Sequence, residues 1–426
     1  MKLNGYVHPG FRPVAEEFIK RIADDDKSGS ALSIYHHGEC VVDIWAGCAD
    51  FDGNPWREDT LALSFSTTKG VAATLLHILA DQGVIEYDRP VSYYWPEFHG
   101  AGKQDVTVRH VLSHQSGLYN IRSMIDDAML MTDWDHMIKV LEQAPLAHPP
   151  GHEHGYHGLT FGWLIGEIMQ RATGLSFSQL LEQELTKPLQ LDGCYVGLPE
   201  SEMGRRALLV GHGRESRPPR ESKRKPRSKS VFKKAQGQFV KAAFRFAGLD
   251  AGDFTSGLAP KGISRFSFND PRVVQSCIPA ANGMFTARSL ARIYAMLAGG
   301  GELGGKRVMS ENRVRLLSEV QSRRIDRVVP VPMHWRLGYH RVFSTGPRTP
   351  HAFGHFGFGG SGAWCDPSRS LSLGFTVNSS SGISPFGDSR VMHIDSAAIR
   401  CAERLDGKRR KPQTLLTDRF YDLINT

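Results

Sequence analysis

Apolar residues recur along this chain with two different periods, and the change from one to the other outlines its architecture. Residues 14–23 set Phe18, Ile19 and Ile22 on one side at helical spacing, which predicts a helix. Two strand-like runs follow, 31–36 and 40–46, joined by His37-Gly38-Glu39, a turn that predicts an antiparallel hairpin. A polar loop, DFDGNPWRED, leads to another strand-like run at 60–65. From Ser66 to Gln82 the helical period returns through Val71, Leu75, Leu76, Ile78 and Leu79, and Gly83 closes the element. Helical patterns then dominate, at 106–118, 160–174, 176–191 and 290–297. After Val308 the strand period reappears at 336–340, 362–366 and 372–378, before a last helix at 390–405 and a polar tail.

Strands thus lie at both ends and helices between them, with no internal repeat. The fold class this predicts is α/β of the α+β kind: one antiparallel sheet built from both chain ends, flanked by helices, with an all-helical domain inserted. The corresponding division is 1–68 with 300–426 for the sheet domain, and 69–299 for the helical one.

Composition narrows the class. The 426 residues are 40% hydrophobic and 23% charged, which is globular and excludes wholesale disorder. No run approaches the roughly 18 apolar residues that a membrane span needs. The first residues, MKLNGYVHPGFRP, lack an apolar core of the secretory type, and six scattered cysteines form no CxxC pair. A cytoplasmic protein with free thiols is expected. The formal net charge of +8 is localised: residues 213–234 hold ten Lys/Arg against two Asp/Glu, and the rest of the chain is balanced. Rich in Pro and Ser, this segment reads as a solvated loop inserted in the helical domain rather than as a nucleic-acid site. Nothing in the pattern specifies an oligomeric state.

Three places carry candidate chemistry. Ser66-Thr67-Thr68-Lys69 is an SxxK match. Two others, Ser222/Lys225 and Ser230/Lys233, lie in the basic insert, where no core desolvates the lysine. Ser66 instead opens an apolar helix. Its side chain and that of Lys69 face the same way, and free N–H groups at the helix start favour an alkoxide or oxyanion. Burial of Lys69 would lower its pKa and make it a proton acceptor. The second place is PPGHEHGYH at 149–157, and the third is His355-Phe356-Gly357 within FGHFGFGGSGAWCDPSRSLSLGFTVN.

Together these elements resemble a family: serine β-lactamases of class C, D-alanyl-D-alanine peptidases and, most nearly, family VIII carboxylesterases. PWREDTLALSFSTTKG is similar to the family's nucleophile segment, VTVRHVLSHQSGL to its LLsHtSGL signature, and Pro150-Gly151 with Tyr156 to its PG-x(4)-Y element. Residues 278–310 resemble its later helix-and-loop segment. The resemblance implies a β-lactamase/transpeptidase-like fold over residues 10–405. It also implies Ser66 as nucleophile, Lys69 and Tyr156 sharing its proton, and His355-Phe356-Gly357 as the strand triplet beside the substrate. The N–H groups of Ser66 and Phe358 would form the oxyanion hole. Which of Lys69 and Tyr156 is the base stays open. A tyrosinate at pH 7 needs about 4 kcal/mol of favourable field, with a Lys69 ammonium and His355 as its candidate sources.

Two departures shift the expected substrate. Gly158 stands where the family often has Asn, and Phe356 where it has Thr. Both changes remove side-chain hydrogen bonding, and a phenyl ring beside the oxyanion strand suits an apolar acyl or alcohol group. The expected activity is hydrolysis of short-chain carboxylic esters, small molecules, through an acyl-serine and without a cofactor. Alternatives are a β-lactamase, D-amino-acid peptidase or acyltransferase on the same fold, or a non-catalytic scaffold binding through the basic insert. His148, His152, His154 and His157 crowd ten residues but match no complete zinc pattern, and His36 and His37 read as turn residues.

Overall fold

A computed structural model describes residues 2–22, 28–210, 251–329, 331–379 and 389–410. The basic insert at 213–234 and the polar tail lie outside the described residues. The strands are β1 (Asn4–Val7), β2 (Gly29–His36), β3 (Glu39–Gly47), β4 (Ala62–Leu63), β5 (Cys194–Val196) and β6 (Gly283–Phe285). They continue with β7 (Glu302–Leu303), β8 (Lys306–Arg307), β9 (His340–Arg341), β10 (Phe353–Phe356), β11 (Gly362–Asp366) and β12 (Leu371–Val377). Seven form one antiparallel sheet in the order β1-β3-β2-β12-β11-β10-β9. The central pairing, β2 with β12, joins the two ends of the chain, with Ser30 opposite Val377 and His36 opposite Leu371.

Period-two alternation explains how both faces of this sheet are covered. On one face Leu32, Ile34, Val42, Ile44, Trp364, Leu373 and Phe375 meet Phe11, Val14 and Phe18 of the N-terminal region and Ile394 and Ala398 of the C-terminal helix Ser389–Arg410. The first helix, α1 (Arg12–Ile22), supplies Val14 and Phe18. On the other face β12 carries Ser372, Gly374 and Thr376, all small, and helix Ala287–Ala298 packs against it. The contact is close: a Cβ on Gly374 would stand 2.5 Å from the Ala287 carbonyl oxygen and 2.6 Å from the Ala291 nitrogen. Ser372 Oγ donates to the Ala291 carbonyl at 3.0 Å.

The helix predicted from Ser66 is α2 (Thr67–Asp81), and every residue from Thr67 to Ala80 is buried. It lies between β10 and helix Thr160–Thr173, so it has no solvent-facing side. Other elements are shorter than their patterns. The run 106–118 is helical only over Val108–Leu112, because His114 takes a left-handed φ of 61°. The run 176–191 winds one turn, Phe177–Leu180, and then widens over Leu181–Thr186 before Pro188 ends it. The expected strand 336–340 is reduced to His340–Arg341, and 60–65 to Ala62–Leu63.

Gly374→Val forces a branched side chain into the backbone of helix Ala287–Ala298. Overpacking of this kind costs about 1–3 kcal/mol or more, so the midpoint of chemical denaturation is expected to fall clearly below that of the native protein. An unchanged midpoint would contradict the close packing.

Candidate active site

The site forms where the start of α2 meets the end of β10. The chain enters α2 through Phe65, a non-glycine residue at φ 43°, whose carbonyl accepts from Thr68 N at 3.0 Å and Thr68 Oγ1 at 2.5 Å. This left-handed conformation costs about 1–2 kcal/mol and is held by those two bonds. Ser66 follows as the capping residue of the helix, its side chain uncommitted to the cap. Its amide therefore stands where helix N–H groups lack intrahelical acceptors.

Lys69, one turn on, is fully buried. Its Nζ lies 3.0 Å from Ser66 Oγ, 2.7 Å from the Gly158 carbonyl and 2.9 Å from the Ala280 carbonyl. Among the described residues no carboxylate bonds it. Burial alone pushes its pKa well below the ordinary lysine range. Tyr156 lies beside the lysine, whose Nζ is 5.0 Å from its ring centroid, and its hydroxyl donates to Ser66 Oγ at 2.9 Å. The sources of field expected for a tyrosinate are not met. Burial, the largest influence, pushes the Tyr156 phenol up, with its bond to Ser66 acting the other way. Burial also drives His355 well below the histidine range.

Tyr156 is fixed by partners that sequence reasoning missed. Its ring stacks on Trp335 with centroids 5.3 Å apart and planes 8° apart. Buried Asp326 accepts from Tyr156 N at 3.0 Å, from Val328 N and Val329 N at 2.8 and 2.9 Å, and from Trp335 Nε1 at 3.0 Å. One carboxylate thus sets both the tyrosine backbone and the ring beneath it. Burial lifts its pKa to about 6 against those bonds. Nothing in the local sequence marks Asp326, a lone acid among arginines.

His355 faces the site, its ring 6.2 Å from Tyr156 and 4.7 Å from buried His340. His340 Nε2 accepts from Phe356 N at 3.2 Å while its Nδ1 donates to the Arg341 carbonyl at 2.8 Å, which fixes a neutral ring. Gly357 packs against the nucleophile turn: a Cβ there would lie 2.2 Å from the Ser64 carbonyl oxygen. Thr67 Oγ1 donates to the Ser361 carbonyl at 3.0 Å, tying the 357–361 loop to the start of α2. Phe358, on that loop, is half exposed and sits edge-on to Phe65 at 5.6 Å.

Phe356 is the exception among the expected residues. It pairs across from Gly362, on the same face as Trp364, and its ring packs on the cluster beneath the terminal helices. Strand alternation sends His355 toward Tyr156 and Phe356 away from it. The apolar surface near Ser66 comes instead from Phe65, Phe358 and Phe268, the last 5.0 Å from Phe65. Gly158 acts through its carbonyl, and a Cβ there would meet Leu258 at 2.3 Å, so helix Ala251–Leu258 closes this side. His148, His154 and His157 bond the Pro149 carbonyl, the Ser113 carbonyl and Ser116 Oγ, and do not converge on a common point.

The model of the family described as Beta-lactamase matches residues 14–394. The chain belongs to the beta-lactamase family. Esterase/beta-lactamase LipL of Mycobacterium tuberculosis is 36% identical over 379 residues, 88% of this chain and 82% of that protein. Esterase EstB of Burkholderia gladioli is 30% identical over 184 residues, 39% of this chain and 46% of that protein. Among solved structures, a family VIII carboxylesterase superposes with a TM-score of 0.80 at 32% identity, covering 94% of this chain and all of the other. A penicillin-binding protein homologue from Caulobacter crescentus gives 0.76 at 33% identity, again over 94% of this chain and 100% of the other. The α/β architecture expected from the two hydrophobic periods is the β-lactamase/transpeptidase-like fold of this family.

Six histidines of this beta-lactamase-family member are buried with lowered pKa, five of them around the site and His77 farther along α2. Burial lowers His154 and His340 to about 4, His77 and His157 to about 3, and His114 and His355 well below their usual value. In the unfolded chain each takes a proton near pH 6.5, so below that pH the unfolded state binds more protons and stability falls. The limit is about 1.4 kcal/mol per pH unit for each group. Asp326 and Asp395, raised by burial, act in the opposite sense but are outnumbered. The urea midpoint is expected to drop steadily from pH 6.5 to 4.5; a flat profile would contradict neutral burial.

Proposed function

We propose that the protein is a serine carboxylesterase that cleaves short-chain esters through an acyl-serine intermediate. The observation that carries this reading is the pair of contacts at Ser66 Oγ, 3.0 Å to the buried Lys69 amine and 2.9 Å to the Tyr156 hydroxyl. A neutral amine has two N–H groups and one lone pair. With the Gly158 and Ala280 carbonyls taking the two N–H groups, the lone pair of Lys69 is directed at Ser66 Oγ. Lys69 is then the base, and Tyr156, a phenol held protonated by burial, is a donor.

In acylation Ser66 Oγ attacks the ester carbonyl carbon and its proton passes to Lys69. The N–H groups of Ser66 and Phe358 receive the oxyanion. The carbon–oxygen bond to the alcohol breaks as Tyr156 gives its proton to the leaving oxygen, and Lys69 returns a proton to Tyr156. Water then attacks the acyl-serine with Lys69 again accepting the proton, and Ser66 is restored. His355 keeps a neutral wall beside Tyr156, and the 355–357 strand and its loop hold the oxyanion donors in place. The names of LipL, EstB and the family VIII carboxylesterase support the ester-cleaving reading. Among the described residues no helix is long and apolar enough to cross a membrane. All six cysteines are free, which suits a reducing compartment, and we assign the enzyme to the cytoplasm.

Ser66→Ala is expected to lower p-nitrophenyl butyrate hydrolysis by at least about 10³-fold with the circular dichroism spectrum unchanged, and a fluorophosphonate should label Ser66 in the native protein. A variant retaining a tenth of the rate, or label on another serine, would exclude the assignment.

The aromatic residues beside Ser66 favour an apolar acyl group, and position 158 offers no side-chain donor. A β-lactam carboxylate or amide left unpaired there costs about 1–3 kcal/mol per group. The kcat/KM for the butyrate ester is therefore expected to exceed that for a chromogenic cephalosporin by at least about 10²-fold. Equal efficiencies would shift the assignment to the β-lactamase alternative.

A further inference from the structure

At the far end of the sheet from Ser66, His36 and His37 meet Asp406. His36 closes β2 on the face covered by the terminal helices, its ring 5.8 Å from Phe11. His37 begins the β2–β3 turn at φ 52°, a left-handed conformation that turns its side chain back toward the same helices. Asp406 lies near the end of helix Ser389–Arg410. The three residues are remote in sequence yet their ligand atoms all lie within 4.8 Å of one another. His37 Nε2 is 2.9 Å from Asp406 Oδ1, and His36 Nε2 is 3.4 Å from Oδ2. Around a tetrahedral zinc ion with ligands at 2.0–2.1 Å, neighbouring ligand atoms stand about 3.3 Å apart, close to the longer of these two values.

We propose that His36, His37 and Asp406 form a site for one divalent first-row transition-metal ion, which clips the β2–β3 hairpin to the C-terminal helix. Two imidazoles and one carboxylate are a ligand set that zinc, copper and nickel accept, whereas calcium and magnesium require mostly oxygen. The site is graded from inside to outside. His36 is 3% exposed at its side chain, Asp406 24% and His37 39%, so an ion can enter past His37 and keep a water there. On binding, each imidazole presents a bare Nε2 and holds its proton on Nδ1. The proton that bridges His37 and Asp406 leaves to solvent. This ion would not take part in ester cleavage. His36 aligns with Leu371 and Asp366, four residues along β11 from the Gly362 end that lies beside the Ser66 loop.

The test uses the full chain freed of metal by chelation and then titrated calorimetrically with Zn²⁺ at pH 7.5. One stoichiometric site is expected, with affinity lowered at least about tenfold by His37→Ala and by Asp406→Asn, both at part-exposed positions. Saturating Zn²⁺ should raise the thermal midpoint of the native chain by about 3 °C, and the same concentration should raise that of either variant by clearly less. Ester turnover should be the same in all three proteins. Copper bound at the native site should give an electron paramagnetic resonance spectrum with two nitrogen couplings, reduced to one in His37→Ala. Absence of a stoichiometric site, or binding to both variants as tight as to the native chain, overturns the proposal; the second result would assign the zinc to other histidines.

Discussion

A lysine amine with neutral oxygens for company is the constraint around which this structure is organised. An ammonium in that setting lacks a counter-charge, and water cannot reach it, so the group is held toward its neutral form. Three separate segments must converge to make the setting: α2, which carries Lys69; the 156–158 turn, which brings the Gly158 carbonyl; and the 278–282 turn, which brings the Ala280 carbonyl. The all-round burial of α2 follows from this. A helix with a wet face at its first turn would let water solvate Nζ and restore the ordinary lysine.

The surroundings extend the same logic. Tyr156, Trp335, His114, His340 and His355 form a wall of aromatic and imidazole rings in contact with one another. Such a wall is polarisable but uncharged, and it keeps the local dielectric low. Asp326 is compatible with this because its charge is spent on three backbone amides and the Trp335 indole, facing the loop rather than the amine. The carboxylate builds the wall without entering the field that Lys69 experiences.

Much of this was legible in the residues themselves. Ser66 and Lys69 were marked by an SxxK spacing at the start of an apolar helix, and Tyr156 by the resemblance of its Pro-Gly segment to the family's PG-x(4)-Y element. The strand patterns at 362–366 and 372–378 gave two strands of the main sheet nearly to the residue. What failed had local causes. β1 is four residues of NGYV, too short and too polar for a period to register, and its edge position needs only one partner. The side of a strand that faces a site depends on register, which is set by β11 and not by β10 itself, so Phe356 seemed to belong beside Ser66. Asp326 and the two carbonyls on Lys69 act through contacts made only after folding, and a backbone carbonyl has no sequence signature at all.

The pairing of β2 with β12 has a consequence for how the chain comes into being. Ser30 must wait for Val377 to be synthesised before the centre of the sheet exists. At about 5–20 residues per second the ribosome needs tens of seconds for the intervening stretch. Through that interval the β2–β3 hairpin is finished but carries an unpaired edge beside Leu32 and Ile34. An apolar strand with a free edge is a template for another nascent chain. Biosynthesis of the chain is therefore a race between closure of the sheet and self-association of its exposed edge.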